Sequence, residues 1–152
     1  MRILAIETSC DETAIALVEA SGGLNSPAGG PRFKVLKNVV SSQIETHRPY
    51  GGVVPLLAKR EHEKNLPKVL EQILSESQIA NVEAEKIDVI AVTVGPGLEP
   101  ALLTGIDFAK ELAKKLKKPL LGANHLEGHL YSPLLTLEKN EKIPLPAIGL
   151  IV

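Results

Sequence analysis

Apolar and polar positions change rhythm along this chain, and the changes mark its elements. Two short apolar runs, Ile3 to Ile6 and Ala14 to Val18, flank ETSCDET, whose small, acidic and hydroxylated residues favour a turn. The pattern predicts strand, turn, strand. EASGGLNSPAGGPR follows, with four Gly and two Pro, and predicts a loose connection. FKVLKNVVSS then has the half-buried pattern of a third strand, so an antiparallel meander is expected at the start. After Gly51-Gly52 the period changes. The spacing predicts a helix from Val53 to Ser77, with Pro55 in its first turn and Leu66, Val69, Leu70, Ile73 and Leu74 on one face. Pro67 predicts a kink or break near Asn65. IDVIAVTVG is a continuous apolar run rich in β-branched residues, suited to a strand buried on both faces. Gly95-Pro96-Gly97 ends it, and Leu102, Leu103, Ile106, Ala109, Leu112, Ala113 and Leu116 outline the next amphipathic helix. PLLGAN predicts another short buried strand, and a helix is expected from His125 to about Leu137. The order is βββαβαβα, an α/β pattern with a mixed sheet, closed by the apolar run AIGLIV. A chain that stops inside such a run, at Val152, reads as cut rather than finished.

Length and composition narrow the function classes. The 152 residues match one domain on a prior of ~100–200 residues each. Aromatics are only 3%, with no Trp, which predicts an aliphatic core and excludes the stacking platforms of single-strand binders. Seventeen basic against eighteen acidic residues, a net charge of −1, argue against a module that coats nucleic acid. One Cys excludes an internal disulfide and every multi-Cys zinc site, and suggests a reducing compartment. Only four apolar residues separate Arg2 from Glu7, too few for a signal-peptide core, and no apolar run approaches the ~20 residues of a membrane span. The expected location is the cytoplasm.

Four features offer chemistry. His125 and His129 are spaced i, i+4, which on a helix places two imidazoles on one face for one metal ion. Glu127 lies two residues after His125, ~200° around the helix, so it cannot serve as the general base of an H-E-x-x-H protease. A third ligand is not evident: Tyr131, Glu127, His47 and His62 lack geometric support. Metal binding and a plain pair of partly buried histidines both stay open on spacing alone. In ETSCDETA, Glu7, Asp11 and Glu12 come near one another, so the turn could hold magnesium on its carboxylates and a phosphate on Thr8, Ser9, Thr13 and backbone amides; a polar hairpin tip is the plainer reading. Cys10 has no neighbour that would lower its pKa, which leaves a nucleophile role weak. GPGLEPALLTG leads a strand into a helix, where an anion could sit, but it matches neither common phosphate-binding fingerprint and favours close packing. Lys110, Lys114, Lys115, Lys117 and Lys118 crowd one helix end, favouring a solvated face over contact with RNA phosphates.

Taken in order, ILAIETSCDETAIALVE, SSQIETHRPYGGVVPLLAKREH, AVTVGPGLEPALLTGIDFAKELA and NHLEGHL resemble the TsaD family, in its bacterial and organellar form. The resemblance runs from Ile3 to the last residue. It implies a lobe of the actin, Hsp70 and sugar-kinase fold (ribonuclease H-like), residues 1–152 forming the N-terminal lobe of a two-lobe enzyme whose second lobe lies outside this chain. The implied activity is transfer of a threonylcarbamoyl group from threonylcarbamoyl-adenylate to N6 of adenosine 37, in tRNAs reading codons that start with A. It further implies that His125 and His129 bind one divalent metal ion together with an Asp of the second lobe, iron being favoured over zinc. Asp11 and Glu12 would face the cleft as catalytic candidates. Implied partners are tRNA, a TsaB-like paralogue and a TsaE-like ATPase, with no membrane; a homodimer through the Val53–Asn65 helix is a further expectation.

Two departures matter. Leu56 and Lys59 stand in VVPLLAKR where family members often read VVPELASR, on the helix expected to meet the paralogue. The chain also ends where the family's Ser-Gly-Gly-His-Thr nucleotide segment would begin, so this lobe alone is expected to be inactive. The alternative reading is a non-catalytic TsaB-like subunit serving as a dimerisation platform, from which the His125 and His129 pair separates it. A metalloprotease is disfavoured by the position of Glu127.

Overall fold

A computed structural model describes residues 1–22, 32–75, 87–136 and 148–151. Strands β1 (Arg2–Glu7), β2 (Glu12–Ser21) and β3 (Arg32–Ser42) form the expected meander, β1 antiparallel to β2 and β2 antiparallel to β3. Helix α1 (Ile44–His47) and a 3-10 turn (Arg48–Tyr50) follow, a step the hydrophobic rhythm does not mark. Gly51, at φ 69°, takes the left-handed conformation that closes this turn. Helix α2 (Pro55–Ser75), strand β4 (Val89–Gly95), helix α3 (Glu99–Leu116), strand β5 (Leu120–Asn124) and helix α4 (His125–Tyr131) complete the order, with a last 3-10 turn at Ser132–Thr136.

The five strands form one sheet in the order β3-β2-β1-β4-β5, with β4 parallel to both β1 and β5. The predicted mixed sheet is therefore present. Period-2 alternation sends Leu4 and Ile6 of β1, and Thr13, Ile15 and Leu17 of β2, to the face covered by helices. There Leu4, Ile6, Ile15 and Leu17 meet Leu66, Val69 and Ile73 of α2 and Ala109 and Ala113 of α3 in one aliphatic core. The opposite face carries small side chains, and Ala5, Ala14, Ala16, Ala91 and Ala123 line a shallow recess of about 190 Å³. Among the described residues no helix is long and apolar enough to cross a membrane.

Three expectations change. Pro67 does not break α2, which is a single helix of 21 residues. Proline removes one i→i−4 bond, but Leu66, Val69 and Ile73 are buried on either side of it and hold the helix against the sheet. The PLLGAN strand is not buried: β5 is an edge, with Leu121 55% exposed. Likewise β3, at the other edge, leaves Phe33, Val35 and Val40 exposed, because an edge strand has a neighbour on one side only. The helix expected from His125 to Leu137 tightens after Tyr131. Pro133 brings no N–H, and the carbonyl of His129 accepts from Ser132 Oγ instead, at 3.0 Å. Leu137 itself lies outside the described residues, as does the Gly/Pro-rich connection over 23–31. Of the closing AIGLIV run, residues 148–151 belong to no regular element, and Ile148 and Leu150 are exposed.

Ile90 of β4 has no solvent exposure, so Ile90→Ala is expected to cost about 2–5 kcal/mol in denaturant unfolding. Leu56→Ala, at an exposed position, should stay within about 0.5 kcal/mol.

Candidate metal centre and acidic turn

The sheet topology gathers the motifs at one end. Parallel strands β1, β4 and β5 finish together at Glu7, Gly95 and Asn124. Antiparallel β2 begins there at Glu12, opposite Ser42, the last residue of β3. Loops leaving the carboxyl ends of parallel strands are where open α/β sheets place their ligands. Helix α3 runs from this end back to the start of β5. Lys114, Lys115, Lys117 and Lys118 consequently lie at the far end, where they complement the helix C-terminus as a solvated face.

His125 is the first residue of α4 because Asn124 caps that helix, its Oδ1 accepting from the N–H groups of Leu126 at 2.9 Å and Glu127 at 3.2 Å. One turn on, His129 meets it edge to face, ring centroids 4.5 Å apart. The two Nε2 atoms are 3.0 Å apart. That is hydrogen-bond distance between the rings, and it is close to the separation of two nitrogens each ~2.0–2.1 Å from one ion, about 2.9 Å at a right angle and about 3.3 Å at a tetrahedral one. Among the described residues no group of three His, Cys, Asp or Glu side chains is arranged for a metal. The magnesium cluster considered for Glu7, Asp11 and Glu12 is therefore not formed. Neither His47 nor His62 serves as a third ligand: both are buried in a separate network. Glu127 and Tyr131 are exposed.

Glu7, grouped by spacing with Asp11 and Glu12, turns instead toward His125. Its Oε2 lies 3.5 Å from His125 Nδ1 and accepts from Thr93 Oγ1, while Oε1 accepts from the Ser9 N–H. Burial pushes the Glu7 carboxyl up, but the bonds from Ser9 and Thr93 and the nearby His125 outweigh it, and its pKa is lowered. The carboxylate lies on the Nδ1 side of the ring at charge-contact distance, and Nε2 faces His129. Thr93 could have been suspected as the one hydroxyl inside an apolar strand; Glu7 shows its partners only once β1 and β4 pair.

The rest of the turn is clamped rather than open. Thr8 Oγ1 donates to the carbonyl of Ala101 at 2.9 Å, and Thr13 Oγ1 lies 2.8 Å from His62 Nδ1, so neither hydroxyl is left to cradle a phosphate. Leu98 N–H donates to the Ser9 carbonyl at 2.7 Å. A Cβ on Gly97 would stand 2.7 Å from that same oxygen, and one on Gly105 would overlap Thr8 Oγ1. The GPG loop is thus a close-packing device, as its pattern favours. Cys10 is exposed, and burial together with Asp11 raises its thiol pKa, which opposes a nucleophile role. Glu12 is raised as well, by burial and then by the charge and hydrogen bond of Asp11, with Ser42 acting the other way. Glu12 therefore holds its proton more readily because of Asp11 beside it, at the end of the sheet that holds the histidines.

Comparison with known proteins bears on the family and the fold. The family model described as "TsaD: tRNA N6-adenosine threonylcarbamoyltransferase" matches residues 34–152. A protein of that name from Thermosipho melanesiensis is 50% identical over 136 residues, covering 90% of this chain and 37% of its own length. One from Synechococcus sp. is 47% identical over 152 residues, covering 100% of this chain and 39% of its own. The chain thus spans about two fifths of the curated relatives it matches. Among solved structures, YeaZ from Pseudomonas aeruginosa aligns with a TM-score of 0.57 at 22% identity, over 88% of this chain and 49% of that one. Thermus thermophilus RuvC in complex with a Holliday junction aligns at 0.54 and 10% identity, over 94% and 84%. These two show the fold, a ribonuclease H-like, actin-like sheet, as expected.

Two outcomes test the site. Glu7 adds stability that is fully present above its ordinary value of 4.5 and is lost as pH falls through its lowered folded value. In urea unfolding followed against pH, Glu7→Gln should lack that part of the acid limb. Gly105→Ala should cost about 1–3 kcal/mol by overpacking against Thr8, read as a lower denaturation midpoint.

Proposed function

The chain belongs to the TsaD family, matched over residues 34–152, and on that premise we propose that it forms the histidine-bearing lobe of a tRNA N6-adenosine threonylcarbamoyltransferase. The observation that carries this reading is the His125 and His129 pair, Nε2 atoms 3.0 Å apart at the carboxyl end of the sheet. A TsaB-like platform would have no use for this pair.

Neutral imidazoles are borderline donors that suit iron or zinc, and the family resemblance favours iron. When bound, such an ion supplies Lewis-acid chemistry toward the carbamate of threonylcarbamoyl-adenylate. The residues of this chain hold and orient. Asn124 starts α4 so that both imidazoles point the same way. Glu7, itself fixed by Ser9 and Thr93, steadies His125 through Nδ1. Asp11 and Glu12 are the acid–base candidates: attack by N6 of adenosine 37 on the carbamate carbonyl breaks its bond to the phosphate, expels AMP and releases the amine proton, and Glu12 has a raised proton affinity. A second lobe would supply the third ligand, an Asp, and most adenylate contacts.

The same reading assigns partners. tRNA is the acceptor, and a TsaE-like ATPase and a TsaB-like paralogue complete the set, in the cytoplasm. The groove between α2 and α3, about 490 Å³, with Leu56, Leu66, Leu103 and Phe108 in its lining beside charged residues such as Glu63 and Asp107, suits the paralogue or, failing that, a second copy through the Val53–Asn65 helix. Leu56, 66% exposed, adds apolar area there.

In a chain carrying both lobes, His125→Ala with His129→Ala is expected to remove bound metal in elemental analysis and to abolish transfer. Unchanged metal content would overturn the ligand assignment. The 152-residue chain by itself is expected to transfer no threonylcarbamoyl to tRNA, followed with a labelled donor.

A further inference from the structure

Gln43, between β3 and α1, and His62, inside α2, are buried polar side chains that take no part in the histidine pair. The direction of each of their bonds can be assigned. His62 Nε2 is 3.0 Å from the carbonyl oxygen of Cys10, and a carbonyl can only accept, so Nε2 carries the hydrogen. Nδ1 then accepts, from the Thr13 hydroxyl at 2.8 Å and from the Gln43 amide at 3.3 Å. The carbonyl of Ala58 orients that amide independently, standing 3.4 Å from Gln43 Nε2. Gln43 Oε1 therefore faces His47 and accepts from its Nε2 at 2.9 Å, while His47 Nδ1 accepts from the N–H of Val54 at 3.3 Å.

Together, His62 and Gln43 hold the backbone on both sides of Asp11. The carbonyl of Cys10 belongs to the peptide plane before the Asp11 Cα, and the carbonyl of Asp11 to the plane after it. His62 Nε2–H donates to the first at 3.0 Å, and the backbone N–H of Gln43 donates to the second at 2.9 Å. Peptide units are planar, so only φ and ψ of Asp11 separate the two planes. With both planes held, the Cα–Cβ bond of Asp11 has one direction. The side chain of Gln43, tied to α1 through His47 and to α2 through Ala58 and His62, keeps its own N–H in place under that second carbonyl.

We propose that His62 and Gln43 are positioning residues for Asp11: by holding the peptide planes on either side of it, they set where its carboxyl points beside Glu12. The role rests on the reading of Asp11 and Glu12 as acid–base candidates. It also has a local readout that does not depend on transfer. Burial and then the charge and hydrogen bond of Asp11 raise the proton affinity of Glu12, with Glu7 adding and Ser42 opposing. A displaced Asp11 takes its share of that effect with it.

The two ends of the His62 ring can be separated by substitution. Gln places an amide near the Nε2 end of a histidine and keeps a donor for the Cys10 carbonyl; Asn reaches only the Nδ1 end and keeps only the partner of Thr13. In a chain carrying both lobes, the Glu12 carboxyl is titrated by carbon-13 NMR and transfer kinetics are measured alongside. His62→Asn is expected to move the Glu12 midpoint toward its ordinary 4.5 and to lower kcat about 10²-fold with KM little changed. His62→Gln should keep both values near those of the unaltered chain. Gln43→Leu should shift Glu12 as His62→Asn does. Equal behaviour of His62→Gln and His62→Asn, a Glu12 midpoint unmoved in His62→Asn and Gln43→Leu, or a loss confined to KM would overturn the proposal. If the unaltered chain transfers nothing, the functional reading falls and the Glu12 titration alone decides the positioning role. Should the variants fail to fold, nitrogen-15 shifts of the unaltered chain decide it: an Nε2–H tautomer of His62 is expected, and an Nδ1–H tautomer overturns the hold on Cys10.

Discussion

The acidic turn of the candidate site depends on how closely the chain after β1 approaches the first turns of α3. Gly97 and Gly105 leave no side chain in the gap, and Thr8 and Ser9 close it with hydrogen bonds to the backbone of α3 and its leading loop. The parallel pairing of β1 with β4 has already set Glu7 against Thr93, and the turn continues from there. A bulkier residue at either glycine would push the turn outward, and with it both carboxylates that follow. Close packing here is a functional constraint as much as a structural one.

The electrostatics of the end of the sheet follow from the same placement. Glu7 is surrounded by donors and stays ionised, which suits a carboxylate steadying an imidazole. Glu12, partly buried beside Asp11, retains its proton more readily than a free glutamate. Two carboxyl groups five residues apart thus have opposite tendencies, set by neighbours and not by residue type. On the other side of the turn, His62 is kept neutral by burial, so the turn is held by hydrogen bonds and not by an ion pair.

Much of the architecture was legible in the hydrophobic rhythm. Alternation at Leu4 and Ile6, and the i, i+3, i+4 face of Leu66, Val69 and Ile73, reflect which side chains must leave water, and a periodic pattern records that demand directly. The rhythm could not show that β5 and β3 are edges, because edge position is a property of strand order. Leu121 and Val40 look like core residues until the sheet is assembled. Pro67 misled for a related reason: its local cost is outweighed by burial of the residues around it, which no local rule counts.

The site divides in the same way. The sequence by itself determined the candidate ligands, His125 and His129, since an i, i+4 pair on one helix needs only the helical repeat to bring its rings together. It also determined family membership through the order of four motifs. Only the tertiary structure decided that Glu7 belongs with His125, that Thr8 and Thr13 are committed to clamping, and that His62 holds Cys10 from 52 residues away. Those pairings join strands and helices distant in the chain, and their geometry exists only after the sheet has ordered its strands. Local repeats are written along a sequence; a contact between separate elements is created by the packing that buries their apolar faces together.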